Sequence, residues 1–273
     1  MSFYDLIKFG SVAIPLVIFC ILGVLVLIKL LIKKVPISSK MSYLIAIGTS
    51  VCGATAIVAI APVINAKKTE VAYAIANITL FGVIAMLAYP YFVNIYFYGA
   101  PMQAGLFLGT AIHETSQVAA AGLIYDQQFN SPETLNIATV TKLIRNTFLV
   151  ILIPLFAFLY NRGEIKNKNY SILNIFPYFV LGFIGMIIVR NIGDQIFIEN
   201  TKNYEMWSNF IEYIKSLATI FLTMSMAAVG ISINLRELKL MGYKPFIVGF
   251  IAALTVGIVS IICLETFLKL FIS

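Results

Sequence analysis

GTAIHETSQVAAAG, the stretch from Gly109 to Gly122, places charge inside apolar sequence. It carries the one histidine of the chain, His113, and Glu114 follows directly. A charged side chain in the middle of a bilayer costs roughly 2.5–3.5 kcal/mol, so such a group usually faces a partner or a water-filled cavity. The stretch therefore predicts a functional site within an integral membrane protein.

The composition predicts the same class. Of the 273 residues, 60% are hydrophobic and only 11% are charged, whereas a soluble domain has about 25% charged residues. The charged residues cluster between long apolar runs, as in helices that cross a hydrocarbon core of roughly 30 Å. We therefore expect an all-α polytopic membrane protein, folded as a single transmembrane domain over residues 1–273, in the bacterial cytoplasmic membrane.

The charges and cysteines exclude several other functions. The net charge of +7 comes mostly from short loops and segment ends, which the positive-inside rule explains without a nucleic-acid partner. The cysteines Cys20, Cys52 and Cys263 fall in separate apolar runs and form no metal-ligand spacing. HETSQ is not a zinc-peptidase motif, because Gln117 stands where the second histidine belongs. We therefore expect no enzyme activity, no metal and no cofactor.

Eight apolar segments divide the chain, and we expect about eight transmembrane helices. Their approximate ranges, numbered one to eight, are 10–32, 43–66, 71–94, 101–122, 137–160, 175–197, 213–235 and 246–271.

Loop charge predicts the orientation. The basic loops near 33–42, 161–171 and 235–245 are placed in the cytoplasm, and those near 124–136 and 198–212 outside. The pair Lys67 and Lys68 then falls on the outer side, against the rule. Either this loop is a tolerated exception or segment two does not cross fully. We expect the exception, because re-entry at segment two would need a second irregularity at segment four.

Two segments carry small and polar residues where a continuous apolar helix is expected. They are GTSVCGATA, from Gly48 to Ala56, and MSMAAVGISIN, from Met224 to Asn234. Interrupted helices in corresponding positions of two halves indicate the binding site of a secondary transporter. The alternative is that both runs are helix–helix packing faces rich in small residues.

Several motifs, in this order, resemble the YeiH-like bacterial membrane proteins, whose members carry the label of sulfate exporters. They are SVCGATAIVAIAPVINA (Ser50–Ala66), GTAIHETSQVAAAG, KLIRN (Lys142–Asn146) and MAAVGISINLREL (Met226–Leu238). The resemblance implies an inverted-repeat bundle related to cation/proton antiporters and anion transporters, in which segments two and seven are interrupted and cross. It also implies that residues 1–98 are the remainder of a first repeat without its first helices, and that residues 99–273 are the second repeat.

The candidate substrate-binding residues are polar or small residues in these motifs. They are His113, Glu114, Gln117, Lys142, Arg145, Asn146, Ser50, Cys52, Gly53, Thr55, Ser225, Ser232 and Asn234.

The chemistry of these side chains leaves alternatives open. His113 and Gln117 share a helix face, where they can contact a substrate or proton, or join two helices by hydrogen bonds. Lys142 and Arg145 also share a face. They can hold an oxyanion, reach lipid headgroups, or pair with Glu114.

We expect a secondary transporter that exports sulfate or another small anion by alternating access. The alternatives are a cation/proton antiporter and a non-transporting membrane protein. The expected partners are the lipid bilayer and a small anion, with a homodimer as a further candidate. H⁺ and Na⁺ are the candidate coupling ions.

Overall fold

The structure, a computed structural model, describes residues 3–32, 37–131, 133–161, 179–197, 202–232 and 242–272. All regular structure in these ranges is α-helical. The helices are α1 Phe3–Ile32, α2 Ser39–Ser50, α3 Gly53–Ile60, α4 Lys68–Tyr96, α5 Pro101–Ala111, α6 Thr115–Phe129, α7 Thr134–Thr147, α8 Leu149–Asn161, α9 Phe179–Ile196, α10 Lys202–Ser232 and α11 Lys244–Ile272.

Three of the described helical stretches are long and apolar enough to cross a membrane: Lys68–Tyr96, Thr134–Phe156 and Lys244–Thr266. A shorter apolar stretch, Val12–Val26, lies within α1. The prediction of an all-α membrane protein is therefore confirmed in its class. The count of eight spans stays a prediction. Segments two and four are not continuous helices, because each is divided into two short helices.

Helices α2 and α3 form a helical hairpin, called here the first hairpin. The Ser38 side chain caps the start of α2 by accepting from the Met41 amide. The same hydroxyl donates to Glu70 Oε1 of α4 at 2.6 Å. Lys40 Nζ donates to the carbonyl oxygen of Asn65, beyond the end of α3, at 2.6 Å. The chain thus returns after α3 to where α2 began, and we call this the basic end of the bundle.

Helices α5 and α6 form a second hairpin, whose open end lies at the opposite end of the bundle. Along α5, Gly105 packs against Ile137 and Gly109 against Thr141, so α5 runs parallel to α7. Along α6, Gly122 packs against Leu135 and Thr115 accepts from Asn146, so α6 runs antiparallel to α7. The start of α5 and the end of α6 therefore both lie beside the start of α7.

The apolar core is divided in the same way. One cluster joins α2 and α3 to buried residues of α1, α4, α8 and α11. The other joins α5 and α6 to buried residues of α1, α4, α7 and α11. Helix α4 passes through both, with Ile78 in the first cluster and Val93 in the second. Each hairpin is therefore the centre of one half of the bundle.

Two of our expectations about interrupted helices need correction. The interruption in GTSVCGATA is confirmed, since α2 ends at Ser50 and α3 begins at Gly53. The chain reverses its direction there, however, and does not continue along the axis of α2. In MSMAAVGISIN, helix α10 continues to Ser232 without a break, and Asn234 lies outside the described residues. The partner interruption is in segment four, between Ala111 and Thr115, where three residues leave the helical path.

Candidate functional site at the hairpin tips

The tips of the two hairpins meet inside the bundle. The first tip is residues 51–52 and the second is residues 112–114. Ala54, in the first turn of α3, donates its backbone N–H to Glu114 Oε1. Cys52 Sγ lies 3.9 Å from Thr115 Oγ1. The contacts join residues about 60 positions apart and bring the GTSVCGATA and HETSQ motifs into one site.

Lys142 of α7 binds both tips and is fully buried. Its ammonium group donates to the carbonyl oxygens of Val51 at 2.8 Å, Ile112 at 3.0 Å and His113. An ammonium has three protons, so all its donors are used by backbone. Lys142 therefore holds the C-terminal ends of α2 and α5 together, where helix dipoles concentrate negative charge.

Arg145, one turn further along α7, completes the same arrangement and is also fully buried. Nε donates to Ser50 O at 2.8 Å, and Nη2 donates to Thr49 O, both at the end of α2. Nη1 donates to Thr110 O and to Ile112 O at the end of α5. These bonds satisfy carbonyls that a helix end leaves without an intrahelical partner.

The contacts of Lys142 and Arg145 match none of the three roles that the sequence left open, which were an oxyanion contact, a headgroup contact and a pair with Glu114. Neither reaches a headgroup region, because both are buried between the tips. Within the described residues, no salt bridge joins Glu114 to Lys142 or Arg145; the one resolved is Arg190–Asp194 at 2.7 Å. Their hydrogen bonds go to backbone carbonyls, so the two cations join the C-terminal ends of α2 and α5.

Glu114 takes the position of an anion at the N-terminus of α3, where backbone N–H groups favour negative charge. Gly53, just before Ala54, has a φ of +25°. A Cβ atom at Gly53 would overlap the Glu114 carboxylate. The glycine is therefore needed both for the backbone conformation and for the approach of Glu114.

At the N-terminus of α6, by contrast, the side chain of the N-cap residue, Glu114, makes no capping hydrogen bond. Polar groups from two other helices approach its first turn. Asn146 Nδ2 donates to Thr115 Oγ1 at 3.2 Å, and Gln117 Nε2 donates to the Thr79 carbonyl at 3.2 Å. Gln117 fits against Gly82, where a Cβ atom would meet its amide.

Several buried polar atoms around the tips have no hydrogen-bond partner among the residues that the structure describes. They are His113 Nδ1, Gln117 Oε1, Asn146 Oδ1 and Thr79 Oγ1. Buried polar atoms are nearly always paired with protein, water or a ligand. Amide oxygens only accept, so bound water would provide the donors that Gln117 Oε1 and Asn146 Oδ1 lack.

The two tips and the buried side chains that contact them form a layer, called here the central layer, whose charge is unbalanced. Its buried charged side chains are Lys142, Arg145 and Glu114, which leave one positive charge when His113 is neutral. The partial charges of two helix C-termini and two N-termini cancel one another. An uncompensated charge at membrane depth is costly.

The remaining predicted residues divide into two groups. Ser50 lies at the end of α2, but its hydroxyl donates back to Ala46 O at 2.6 Å, and Thr55 is exposed on α3. Ser225 and Ser232 lie on α10, and their side chains are not among the described ones. The structure thus brings together His113, Glu114, Gln117, Lys142, Arg145, Asn146, Cys52 and Gly53, with Ser50 contributing its carbonyl.

Sequence reasoning missed the groups that bind the cations, since they are backbone carbonyls. It also missed Thr115, Thr79 and the contact of Thr110 Oγ1 with Ser260 Oγ of α11 at 2.5 Å. Thr79 and Thr115 could have been noticed as hydroxyls within or next to apolar segments. No pattern in the sequence marks which carbonyls a buried lysine will meet.

These features define a helical membrane protein with two interrupted segments whose breaks share one buried polar layer. A family described as Conserved hypothetical protein 698 matches residues 1–249. A UPF0324 membrane protein of Fusobacterium nucleatum is 36% identical over 267 residues, which covers 96% of this chain and 76% of the relative. UPF0324 membrane proteins of Clostridium tetani and Streptococcus agalactiae are 30% and 32% identical, over 95% and 96% of this chain and 74% and 75% of those relatives.

The chain belongs to this family, the YeiH-like UPF0324 membrane proteins. No solved structure matches it.

Proposed function

We propose that this protein is a secondary transporter that exports sulfate or another small anion across the bacterial cytoplasmic membrane by alternating access. The observation that carries the proposal is the central layer, where two buried cations, Lys142 and Arg145, outnumber the one buried carboxylate, Glu114. A small anion bound there would neutralise the remaining charge inside the membrane.

The helix termini provide the binding chemistry. The uncapped N-terminus of α6 presents backbone N–H groups next to Thr115 and the Asn146 amide, and such ends bind sulfate, phosphate or carboxylate groups. Lys142 and Arg145 contribute a positive electrostatic potential at the site rather than direct hydrogen bonds to the anion. A cation binds less favourably in this layer, because two buried cations repel it.

The direct test is uptake of radiolabelled sulfate and of other small anions into proteoliposomes that contain the purified protein. The proposal predicts saturable anion flux that empty liposomes lack. The absence of flux for every small anion tested, with folded protein in both orientations, would contradict it.

Glu114→Gln separates an anion transporter from a cation/proton antiporter. The glutamine keeps an oxygen that can accept from the Ala54 N–H and raises the charge of the layer by one. We expect anion flux to persist with a half-saturating concentration several-fold lower. An antiporter that uses Glu114 to carry protons loses proton-driven cation exchange in the same variant. Glu133→Gln, at an exposed position, is the matched control and leaves the flux unchanged.

A further inference from the structure

We propose that the two hairpins are re-entrant, that they enter the membrane from opposite faces, and that each separates the tips from its own face. In this arrangement neither α2–α3 nor α5–α6 crosses the bilayer. The inference rests on the chain lying in a membrane and not on the identity of the transported solute.

The first argument is the position of the hairpin ends. Ser38 and Lys40 at the start of α2 are hydrogen-bonded to Glu70 and to the carbonyl of Asn65, which both follow α3. In the second hairpin, Tyr125 near the end of α6 donates to Asn94 Oδ1 near the end of α4 at 3.3 Å. Both ends of each hairpin thus lie at one end of the bundle.

The second argument is that the two ends of the bundle are opposite. Helix α4 begins beside the first hairpin, where Glu70 contacts Ser38, and finishes beside the second, where Asn94 contacts Tyr125. It has 29 residues, about 44 Å at 1.5 Å per residue. That is longer than the roughly 30 Å hydrocarbon core. The hairpin openings are therefore separated by the length of a membrane-spanning helix.

The third argument comes from loop charge. With α2–α3 re-entrant, Lys67 and Lys68 return to the same end as Lys40. Tyr73 of α4 donates to the carbonyl of Gly242 at 2.8 Å, which places the start of α11 at that end too. The loop with Lys67 and Lys68 then obeys the positive-inside rule. Lys67 and Lys68 are then no longer an exception to the rule. Re-entry at segment two requires a second irregularity in the chain, and the break in segment four is that irregularity.

Backbone chemistry makes such hairpins tolerable. Non-helical backbone at membrane depth must be covered by protein and have its polar groups satisfied. Lys142 and Arg145 do this for the carbonyls of both tips. A solute bound at the tips then has the first hairpin between it and the basic end, and the second between it and the opposite end.

The test is the sidedness of single added cysteines in the full-length protein in cells and in inverted vesicles. The probe is a membrane-impermeant maleimide, and the native chain is the background, because Cys20, Cys52 and Cys263 are all buried. One pair of variants, Ser39→Cys and Lys67→Cys, flanks the first hairpin. The other, Tyr98→Cys and Glu133→Cys, flanks the second.

We expect positions 39 and 67 to be labelled from the same face, the cytoplasmic one, and positions 98 and 133 from the other face. Labelling of 39 and 67 from opposite faces overturns the proposal, as does labelling of 98 and 133 from opposite faces. The readout needs no transport activity. A protein that shows this labelling but no anion flux would retain the hairpins and lose the proposed function.

Discussion

The side-chain nitrogen of Lys40 lies 2.6 Å from the carbonyl oxygen of Asn65, although 25 residues separate them along the chain. A continuous helix of that length would hold the two positions about 38 Å apart. The contact therefore depends on the reversal of the chain at residues 51–52. It links the end of α3 to the start of α2 and closes the first hairpin.

This closure predicts a cross-link. In the variant with Lys40→Cys and Asn65→Cys, a short bifunctional maleimide should join the two cysteines in a single chain, detected by mass spectrometry of the digested protein. Lys40→Cys with Tyr98→Cys is the control and should give no intramolecular cross-link, since Tyr98 lies at the opposite end. Failure of the first pair to react, in protein that labels at both cysteines singly, would contradict the hairpin.

Removal of the Lys142 ammonium should destabilise the bundle. Lys142→Met preserves much of the side-chain volume but leaves the carbonyls of Val51, Ile112 and His113 without this donor. The Ile112 carbonyl keeps its bond from Arg145, so two carbonyls lose their partner. Each buried polar group without a partner costs about 1–3 kcal/mol, so we expect a loss of ~2 kcal/mol or more. Thermal unfolding in detergent should show a clear decrease in Tm. Leu143→Met, at the neighbouring exposed position, should leave the Tm nearly unchanged, and equal stability of the two variants would disprove the role of Lys142.

Gly53 and Glu114 should be energetically coupled. Gly53→Ala places a methyl group in the space of the Glu114 carboxylate and strains a backbone with positive φ, which alone costs about 1–2 kcal/mol. In a Glu114→Ala background only the backbone strain remains, so the same change should destabilise less. Unfolding of the four proteins of the double-mutant cycle measures the difference. Independent sites add within about 0.3–0.5 kcal/mol, and additivity at that level would show that the two residues do not touch.

A second glycine, Gly82, tests the packing of the Gln117 side chain against α4. Gly82→Ala adds a Cβ atom 2.8 Å from Cδ of Gln117, so either Gln117 must move or α4 and α6 must separate. We expect destabilisation of about 1–3 kcal/mol, the usual cost of overpacking. Gly185→Ala is the matched control, because its added Cβ has no atom of another described helix within 4 Å. A helix-interior alanine there should be neutral or stabilise by up to about 1 kcal/mol, and the same result at Gly82 would contradict the packing described here.

The sequence predicts the helical membrane class, the family and much of the candidate site. His113, Glu114, Lys142 and Arg145 stand out because ionisable groups are rare in apolar segments, and the structure places all of them in one buried layer. The break in segment two follows from its small and polar residues. The break in segment four was not predicted, because its polar run HETSQ, from His113 to Gln117, was interpreted as a site within a continuous span.

What the sequence alone determined is therefore which residues avoid lipid and where helices are weak, since both follow from the chemistry of each side chain and its neighbours. Only the tertiary structure decided whether the chain continues or turns back at each break. That depends on a few backbone dihedrals at residues 51–53 and 112–114. It depends equally on two cations of α7, which bind carbonyls from parts of the chain 29 to 96 residues away. Backbone carbonyls are the same in every residue, so no local pattern shows which of them Lys142 and Arg145 will bind.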